Sequence, residues 1–541
     1  MATMAFKIND VQQYSLTDSF SGLTSREQKA LENSWAKVFA DDIFPAIDEE
    51  PFRVLYSERT QSRGNTPVNI CIGAMIIKEM FQISDDEIVE SLMLDIRFQY
   101  ALHTTSFEEQ PLSDKSLSRF RNRCYEYETV YGVDLLHDCI TGLGRQIAEI
   151  MEISPRIRRM DSLMIEANIK KLSRAELLYT CVSKFVKYLH KNGFESLLTG
   201  LEHYYDPNDF NRTFYYSNSS KTDDCIRMIL DDADMLLGLC GREFDDATEY
   251  QLLIRCLSEQ TVVEDAVRRL KTKGEGGMDS SVLQNPSDPD ATFREKAGKT
   301  YQGYAANIDE SVGANGSVIT DYQLEQNNYP DSRFLKDSLE RNGSFAEKST
   351  LVTDGAYFGE ENSLLARRKN VTLVTTDIPG IEVPDIYADF KLNEAGNRIL
   401  ECPAGYRPGS SSCSTNGNGH IYASFSREQC LNCPHKEQCR AKVHKNVCSV
   451  TISAKGTFRA KTRRLMGSDE FRMLARIRNG AETIPSMLRR IYGTDRMAVR
   501  GLIKTRLYFG CKVAALNVRK LFTFRSGRGH YAQNPLLMAQ G

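Results

Sequence analysis

The sequence predicts an α/β protein in which a helical N-terminal region precedes a mixed sheet that carries two insertions. Apolar residues recur at helical spacing from residue 68 to about residue 124, whereas short β-branched stretches alternate with helical patterns after residue 157. A chain of 541 residues has room for two to four domains. We predict a leader at 1–49, a helical N-terminal domain at 50–150, and a sheet-containing domain at 151–541.

The N-terminal region shows clear helix-start signals. The leader is expected to be loosely structured, with one short helix at about 25–39. A helix over Val68–Gln82 follows the Thr66-Pro67 pair, and the next opens at Ser84, which forms a capping-box pattern with Glu87. We expect that second helix to continue to about residue 100.

A third helix presents a basic, hydrogen-bonding face. We place its N-cap at Ser113, and its polar residues recur at helical spacing at Lys115, Arg119, Asn122 and Arg123. Short helices that end in one with Arg and Asn along its outer face suggest a helix-turn-helix-like DNA reader. An ordinary helical bundle with a charged surface explains the pattern equally simply.

The second half of the chain predicts a sheet with crossover helices. A strand around Asp161 is followed by a helical, acidic insertion at about 170–285. A hairpin turns at Gly313–Gly316, and helix, strand, helix and strand then follow from 331 to 376. A Cys-rich insertion at about 378–460 precedes a long helix over Gly467–Tyr492. This succession matches a ribonuclease-H-like core, in which the first and fourth strands are neighbours.

Three acidic residues are the candidate catalytic and metal-binding groups. Asp161 lies on the first core strand, and Asp354 ends the fourth in LVTDGAYFG. Carboxylates that approach each other repel, and divalent cations with oxygen ligands relieve that repulsion. A third carboxylate is needed for two Mg²⁺ or Mn²⁺ ions, and Glu482 fits because Arg478, Glu482 and Arg489 recur on one helix face. The two arginines would hold DNA phosphates; a surface salt-bridge ladder is the alternative.

Several stretches of the chain together resemble a known family. RGNTPVNICIGAMIIKEMFQISDDEIVE, SLSRFRNR, MDSLMIEAN, NPSDPDATFREKAGKTYQGYAAN, TDGAYFG and RNGAETIPSMLRRIYG occur in this order. The chain resembles the DDE-type transposases of bacterial insertion sequences, in particular the insertion sequence 1182 group. The resemblance implies two metal ions held by Asp161, Asp354 and Glu482. It also implies the family pattern Tyr-x2-Arg-x3-Glu-x6-Lys, in which Ala475 replaces the tyrosine and Arg489 the lysine.

Other acids and nearby polar residues are weaker candidates. Asp377 in VTTDIPG and Asp288 and Asp290 in SDPDA are better explained as turn residues beside proline. Lys296, Lys299 and Tyr304 lie near the core strands, where either DNA contact or a structural role is expected.

A cluster of cysteines suggests a structural zinc site. Cys430 and Cys433 have the two-residue spacing of a zinc knuckle, and Cys402 and Cys439 would complete a tetrahedral set. Spare ligands are Cys413, Cys448 and three histidines at 420, 435 and 444. Reduced thiols or an Fe–S centre are the alternatives. Zinc would fold an insert that has too little core of its own.

Charge and composition indicate the partners. The formal net charge is −3, yet residues 434–530 hold 23 Lys or Arg against 5 Asp or Glu, which favours a polyanionic partner. No run of about 18 apolar residues occurs, and MATMAFKIND lacks a secretory signal. We therefore expect no membrane partner and a location in the bacterial cytoplasm at the nucleoid.

These expectations combine into one functional hypothesis and its alternatives. The hypothesis is a DNA transposase that cuts the terminal inverted repeats and transfers the 3′-OH to target DNA, with a homodimer in the synaptic complex. The alternatives are a catalytically silent DNA-binding protein derived from a transposase, or a nuclease without strand transfer. A zinc-stabilised structural protein is a further alternative.

Overall fold

The structure is a computed structural model that describes residues 4–9, 20, 22–57, 64–104, 112–214, 222–240, 243–296, 298–378, 382–414, 419–478, 480 and 482–527. Among the helices in these ranges, none is long and apolar enough to cross a membrane.

The α-helices, in chain order, are α1 Ser25–Glu32, α2 Trp35–Val38, α3 Val68–Phe81, α4 Asp85–Leu94, α5 Ile96–Ala101, α6 Ser116–Tyr131, α7 Leu135–Ile150, α8 Arg174–Lys191, α9 Asp209–Phe214, α10 Thr222–Cys240, α11 Thr248–Gln260, α12 Asp331–Arg341, α13 Glu360–Arg368, α14 Arg427–Leu431, α15 Ala454–Met466, α16 Asp469–Arg478, α17 Thr483–Arg490 and α18 Leu502–Arg525. The strands are β1 Ile157–Glu166, β2 Thr261–Glu264, β3 Val267–Leu270, β4 Thr292–Lys296, β5 Lys299–Gly313, β6 Gly316–Gln326, β7 Ser349–Thr353, β8 Val371–Thr375, β9 Lys391–Leu392, β10 Ile399–Glu401, β11 Ser410–Cys413, β12 His420–Ser426, β13 Lys442–Val443 and β14 Val447–Ser453.

A six-stranded mixed sheet forms the centre of the fold. Its order is β4-β5-β1-β7-β8, and β6 also pairs with β5. The pairs that β5 makes with β1, β4 and β6 are antiparallel, whereas β1-β7 and β7-β8 are parallel. The chain crosses over through α12 between β6 and β7, and through α13 between β7 and β8. The predicted hairpin around Gly313–Gly316 is the β5-β6 turn.

The two faces of the sheet bury different clusters. On one face Met160, Met164 and Leu351 pack with Phe334 and Leu335 of α12. The other face contributes to a larger cluster that includes α3, α7 and α18, so the N-terminal helices and the sheet share one apolar core. Residues on the same strand alternate between these faces, which is why β1 is buried along almost its whole length.

The region predicted to be a loose leader is packed in its described part. Phe39, Ile43 and Phe44 are fully buried, and α1 starts with a capping box between Thr24 and Glu27. The aromatic and aliphatic residues after Trp35 supply enough apolar area to dock this segment on the core. Residues 10–19 of the leader lie outside the described residues.

Two helix boundaries in the N-terminal region differ from the sequence prediction. The capping box of Ser84 and Glu87 is present, but α4 ends at Leu94. The next residue, Asp95, accepts a hydrogen bond from the Arg97 N–H and is the N-cap of α5. Ser113 is not the N-cap of the third helix. Its N–H donates to Ser116 Oγ within a turn, and α6 begins only at Ser116.

The first insertion has its own core and ends differently from the prediction. Helices α8, α10 and α11 bury a separate apolar cluster. The predicted helical stretch stops at Gln260, and residues 261–270 form the β2-β3 hairpin. Asp265 and Ala266 at its tip both have positive φ, as a two-residue hairpin turn requires. The β-branched Val262 and Val263 before the turn also favour a strand over a helix.

The Cys-rich insertion also has a core of its own, contrary to the expectation. Strands β11-β12-β14-β13 form an antiparallel sheet whose inner face buries Ile421, Phe425, Val450 and Ile452. Cys402, Cys430 and Cys439 are partly buried against this cluster. The insert therefore has apolar area available for folding without a metal ion.

The predicted long helix over 467–492 is two helices. α16 ends at Arg478, and α17 begins at Thr483. The break lies where Arg159 Nη1 donates to the Ile477 carbonyl at 3.1 Å, and a Cβ on Gly480 would lie only 2.1 Å from the same nitrogen. The helix α18 was not predicted. It is buried along most of its length, so it lacks the amphipathic pattern that marks a surface helix.

Candidate active site

The pairing of β1 with β7 places two of the predicted acids, Asp161 and Asp354, at equivalent positions on neighbouring strands. The β1-β7 register pairs Ile157 with Thr350 and Arg159 with Val352. Asp161 and Asp354 each lie two residues beyond that last pair, so they sit side by side. The Asp161 side chain is 12% exposed and that of Asp354 is 29% exposed.

The turn after β7 fixes Asp354. Its Oδ1 accepts a hydrogen bond from the Ala356 N–H at 2.8 Å, which caps the helical turn Gly355–Tyr357. Tyr357 is fully buried and donates to Asn307 Oδ1 at 2.7 Å. The glycine turn after the strand therefore holds one carboxylate oxygen and leaves Oδ2 facing the cleft, where it lies 3.6 Å from Arg478 Nη2.

Asp161 is the more buried acid. Its Oδ1 accepts from the Ser162 N–H at 2.9 Å and lies 3.7 Å from Arg478 Nη2. Burial raises the pKa of the Asp161 carboxyl, while the charge of Arg478 acts in the opposite direction. Asp354 adds a smaller repulsive effect that also raises this pKa. The charge of Asp354 therefore affects the protonation of Asp161, as expected for two carboxylates that lie close together.

Glu482 joins this pair from the α16-α17 break. Its Oε1 lies 3.9 Å from Arg478 Nη1, but its side chain is 76% exposed. In the described residues, no group of three or more His, Cys, Asp or Glu is arranged to hold a metal ion. The Arg478 guanidinium faces all three acids, at 3.6–3.9 Å from one oxygen of each. Their donor set consists of carboxylate oxygens only, which suits Mg²⁺ or Mn²⁺ in preference to zinc.

A buried ion network anchors the break beside these acids. Arg159 on β1 is 3% exposed and forms an ion pair with Glu310 on β5. Lys520 of α18 contacts the same carboxylate at 2.9 Å. Although burial alone would raise it, the charges of Lys520 and Arg159 lower the pKa of Glu310 to about 2. Since Arg159 also holds the Ile477 carbonyl, this network positions the segment that carries Arg478 and Glu482.

The acids lie in a cleft of about 710 Å³ with a mixed lining. Besides the three acids, the lining includes the cationic residues Lys296, Lys299, Arg478, Arg489 and Arg490. Arg489 Nε lies 3.5 Å from Asp495 Oδ1. A cleft that combines carboxylates with this many cations suits a phosphate-bearing substrate and the metal ions that accompany it.

The sequence prediction missed Arg159, Gly480, Arg490 and Asp495 as parts of this site. Two consecutive arginines at the start of a strand with a buried pattern, Arg158-Arg159, were the available signal, because buried charges require partners. Gly480 in RNGAE was a second signal, since a glycine in a helical pattern marks a break or a close approach.

The weaker candidates have structural roles. Asp288 is fully buried and accepts a hydrogen bond from the Tyr304 hydroxyl, so Tyr304 is not placed to contact DNA. Asp290 Oδ2 accepts from the Leu502 N–H at the start of α18. Asp377 Oδ1 accepts from the Ile378 N–H at 2.7 Å.

Three of the predicted DNA-reading residues lie on α6 and Lys115 lies at its N-cap, and none of the four lines this cleft. Lys115, Arg119 and Asn122 are exposed, and a groove of about 800 Å³ is lined by Arg119, Asn122 and Arg123. The Arg123 guanidinium lies 4.8 Å over the Tyr56 ring, which fixes its direction.

The predicted zinc site is not supported. Cys402, Cys430, Cys433 and Cys439 line one cavity of about 20 Å³, but they form no metal-holding group among the described residues. Burial, with a further effect from Cys448, raises the pKa of the Cys430 thiol to about 12.

Two family models that match parts of the chain both describe transposase domains. A family model described as "Transposase DDE domain" matches residues 401–522, and one described as "Transposase domain (DUF772)" matches residues 26–123. No match was found among curated proteins. A cryo-EM structure of the piggyBac transposase synaptic complex with hairpin DNA is 9% identical, with 94% of this chain and 78% of that chain covered and a TM-score of 0.28. That likeness is too slight to carry a conclusion about this chain.

Proposed function

The chain belongs with the DDE-type transposases of bacterial insertion sequences, and from this premise we propose that Asp161, Asp354 and Glu482 form its catalytic site. The observation that carries the proposal is their convergence on one guanidinium in a cleft lined by cations. The order β6-β5-β1-β7-β8, with β5 antiparallel and β7 and β8 parallel to β1, supports a ribonuclease-H-like core.

The proposed reaction cuts DNA at the element ends and joins the freed 3′-OH to target DNA. Two divalent metal ions, Mg²⁺ or Mn²⁺, would be held by the three acids and would supply Lewis-acid chemistry and activation of the attacking hydroxyl. Lys296, Lys299 and Arg489 bind and orient phosphates in the cleft.

Recognition of the element end is assigned to the α6 face. Lys115, Arg119, Asn122 and Arg123 would contact the terminal inverted repeat, since an exposed helix with Arg and Asn suits groove and phosphate contacts. Two ends must be held together, so we propose a homodimer in the synaptic complex. The site of action would be the bacterial nucleoid in the cytoplasm, and the insertion sequence 1182 group is the proposed subgroup.

Metal-dependent cleavage of element-end DNA tests the proposal. Asp354→Asn keeps the shape and the cap to Ala356 while removing the charge that a metal requires, so cleavage is expected to fall to background. Asp377→Asn is the matched control, because it removes an acid just beyond the neighbouring strand β8 and outside the cleft. Undiminished cleavage by Asp354→Asn would reject the site.

A second assay separates the alternatives. Pre-cleaved ends and a target plasmid are incubated with the wild-type chain and a divalent metal. Joined products identify a transposase, and cleavage without joining identifies a nuclease. Binding of end DNA with neither product identifies a silent derivative.

A further inference from the structure

One guanidinium faces all three acids of the proposed site. Arg478 Nη2 lies 3.7 Å from Asp161 Oδ1 and 3.6 Å from Asp354 Oδ2, and Nη1 lies 3.9 Å from Glu482 Oε1. The Arg478 side chain is only 19% exposed. The guanidinium is therefore largely buried and faces a carboxylate oxygen of each acid within 4 Å.

Charge holds this guanidinium in place, and hydrogen bonds do not. All three distances exceed 3.5 Å, the upper limit for a hydrogen bond between these atoms. Among the residues that the structure describes, the buried Arg478 Nε finds no hydrogen-bond partner. Arg159, by contrast, is held by direct contacts: it donates a hydrogen bond to the Ile477 carbonyl at 3.1 Å and forms an ion pair with Glu310. Arg478 can therefore leave the cluster without breaking a hydrogen bond to these acids.

A divalent cation and Arg478 compete for the same oxygens. Mg²⁺ binds carboxylate oxygens at roughly 2.0–2.1 Å, so an ion shared by Asp161 and Asp354 would lie in the space that Nη2 now faces. Two positive groups in that space would repel each other strongly in a partly buried site. The guanidinium must then move away, and DNA phosphates that the proposed function places beside Arg489 in the same cleft would be its new partner.

We infer that Arg478 is an internal counter-ion that divalent metal displaces and that DNA phosphate draws out of the acidic cluster. Resting on the proposed function, this inference adds a coupling between its two ligands. Metal binding frees Arg478 for DNA, and DNA binding frees the acids for metal. Linkage requires that each ligand raises the affinity for the other by the same factor.

Mn²⁺ titration of the full chain at pH 8, with free Mn²⁺ measured by electron paramagnetic resonance, tests the inference. Arg478→Gln is expected to bind Mn²⁺ on the order of 10-fold more tightly than the wild type, because the competing charge is gone. Arg478→Lys keeps the charge and should stay near the wild-type affinity. Arg490→Gln is the matched control, since it removes the same charge from the lining of the same cleft and should also stay near the wild-type affinity.

The same titration is repeated with element-end DNA bound. DNA should raise Mn²⁺ affinity in the wild type, and by a clearly smaller factor in Arg478→Gln. If Arg478→Gln without DNA binds Mn²⁺ no more tightly than the wild type does, the inference is overturned. The proposed function would still stand in that case if the wild type binds Mn²⁺ and Asp354→Asn does not. Absence of Mn²⁺ binding in both the wild type and Arg478→Gln would overturn both. Melting temperatures of all variants verify that each is folded.

Discussion

Gly480→Ala is the sharpest test of how the site is built. A Cβ at this position would lie 2.1 Å from Arg159 Nη1 and 3.1 Å from Arg159 Cζ, whereas ordinary contact begins at 3.4 Å. The two groups must therefore separate by about 1.3 Å. Arg159 cannot simply swing aside, because it is 3% exposed, pairs with Glu310 and donates to the Ile477 carbonyl.

The backbone at residue 480 is then expected to move, and it lies two residues from both Arg478 and Glu482. A displacement of about 1 Å in a catalytic group costs about 100-fold in rate, so cleavage of end DNA should fall by roughly that factor. Overpacking should lower the free energy of unfolding by about 1–3 kcal/mol. Initial cleavage rates and urea titration followed by far-UV circular dichroism measure the two effects.

Gly142→Ala is the matched control for this substitution. Gly142 lies within α7, and an added Cβ would meet no atom within 4 Å. Alanine is favoured over glycine in a helix interior by up to about 1 kcal/mol, so this variant should be as active as the wild type and at least as stable. A wild-type cleavage rate in Gly480→Ala would refute the view that Arg159 positions the Glu482 segment.

Three further predictions follow from charges in the structure. Glu310 has a folded pKa of about 2 against an ordinary 4.5, so its carboxylate should contribute about 3 kcal/mol above pH 4.5 and lose that contribution as pH falls towards 2. Urea titrations should show the gap between wild type and Glu310→Gln narrowing by about 2 kcal/mol from pH 7 to pH 3; a pH-independent gap would contradict this. Lys299→Gln should lower the slope of log affinity for end DNA against log salt by about 1 without changing the melting temperature, and an unchanged slope would exclude a phosphate contact. Arg119→Gln should weaken binding to end DNA and leave the melting temperature at the wild-type value. Arg123→Gln should weaken binding and also lower the melting temperature, because the contact between the guanidinium and the Tyr56 ring is lost.

The predictable parts of this fold were those with a strong local pattern. The β5-β6 hairpin, the capping box at Ser84 and the strand before Asp354 were all readable, because alternation, caps and β-branched runs act over a few residues. The α18 helix was not, since a helix buried on most sides has no polar face to set its period.

The site was predictable only in part for a related reason. The sequence named the acids but placed Glu482 within one long helix, because its spacing from Arg478 and Arg489 is helical. The break depends on a contact between Gly480 and Arg159, which are 321 residues apart in the chain, and no local pattern encodes that contact. The packing of Cys430 was not predictable either, because the apolar face against which it lies is assembled from β12 and β14.

Iron-mediated cleavage of the polypeptide tests the central claim most directly. Fe²⁺ replaces Mg²⁺ in the full chain, and ascorbate with peroxide then generates hydroxyl radicals that cut the backbone close to the bound ion. The account predicts three cuts, near Asp161, Asp354 and Glu482, all of which excess Mg²⁺ suppresses and Asp354→Asn removes. Cuts confined to other parts of the chain, or cuts near only one of the three acids, would contradict it.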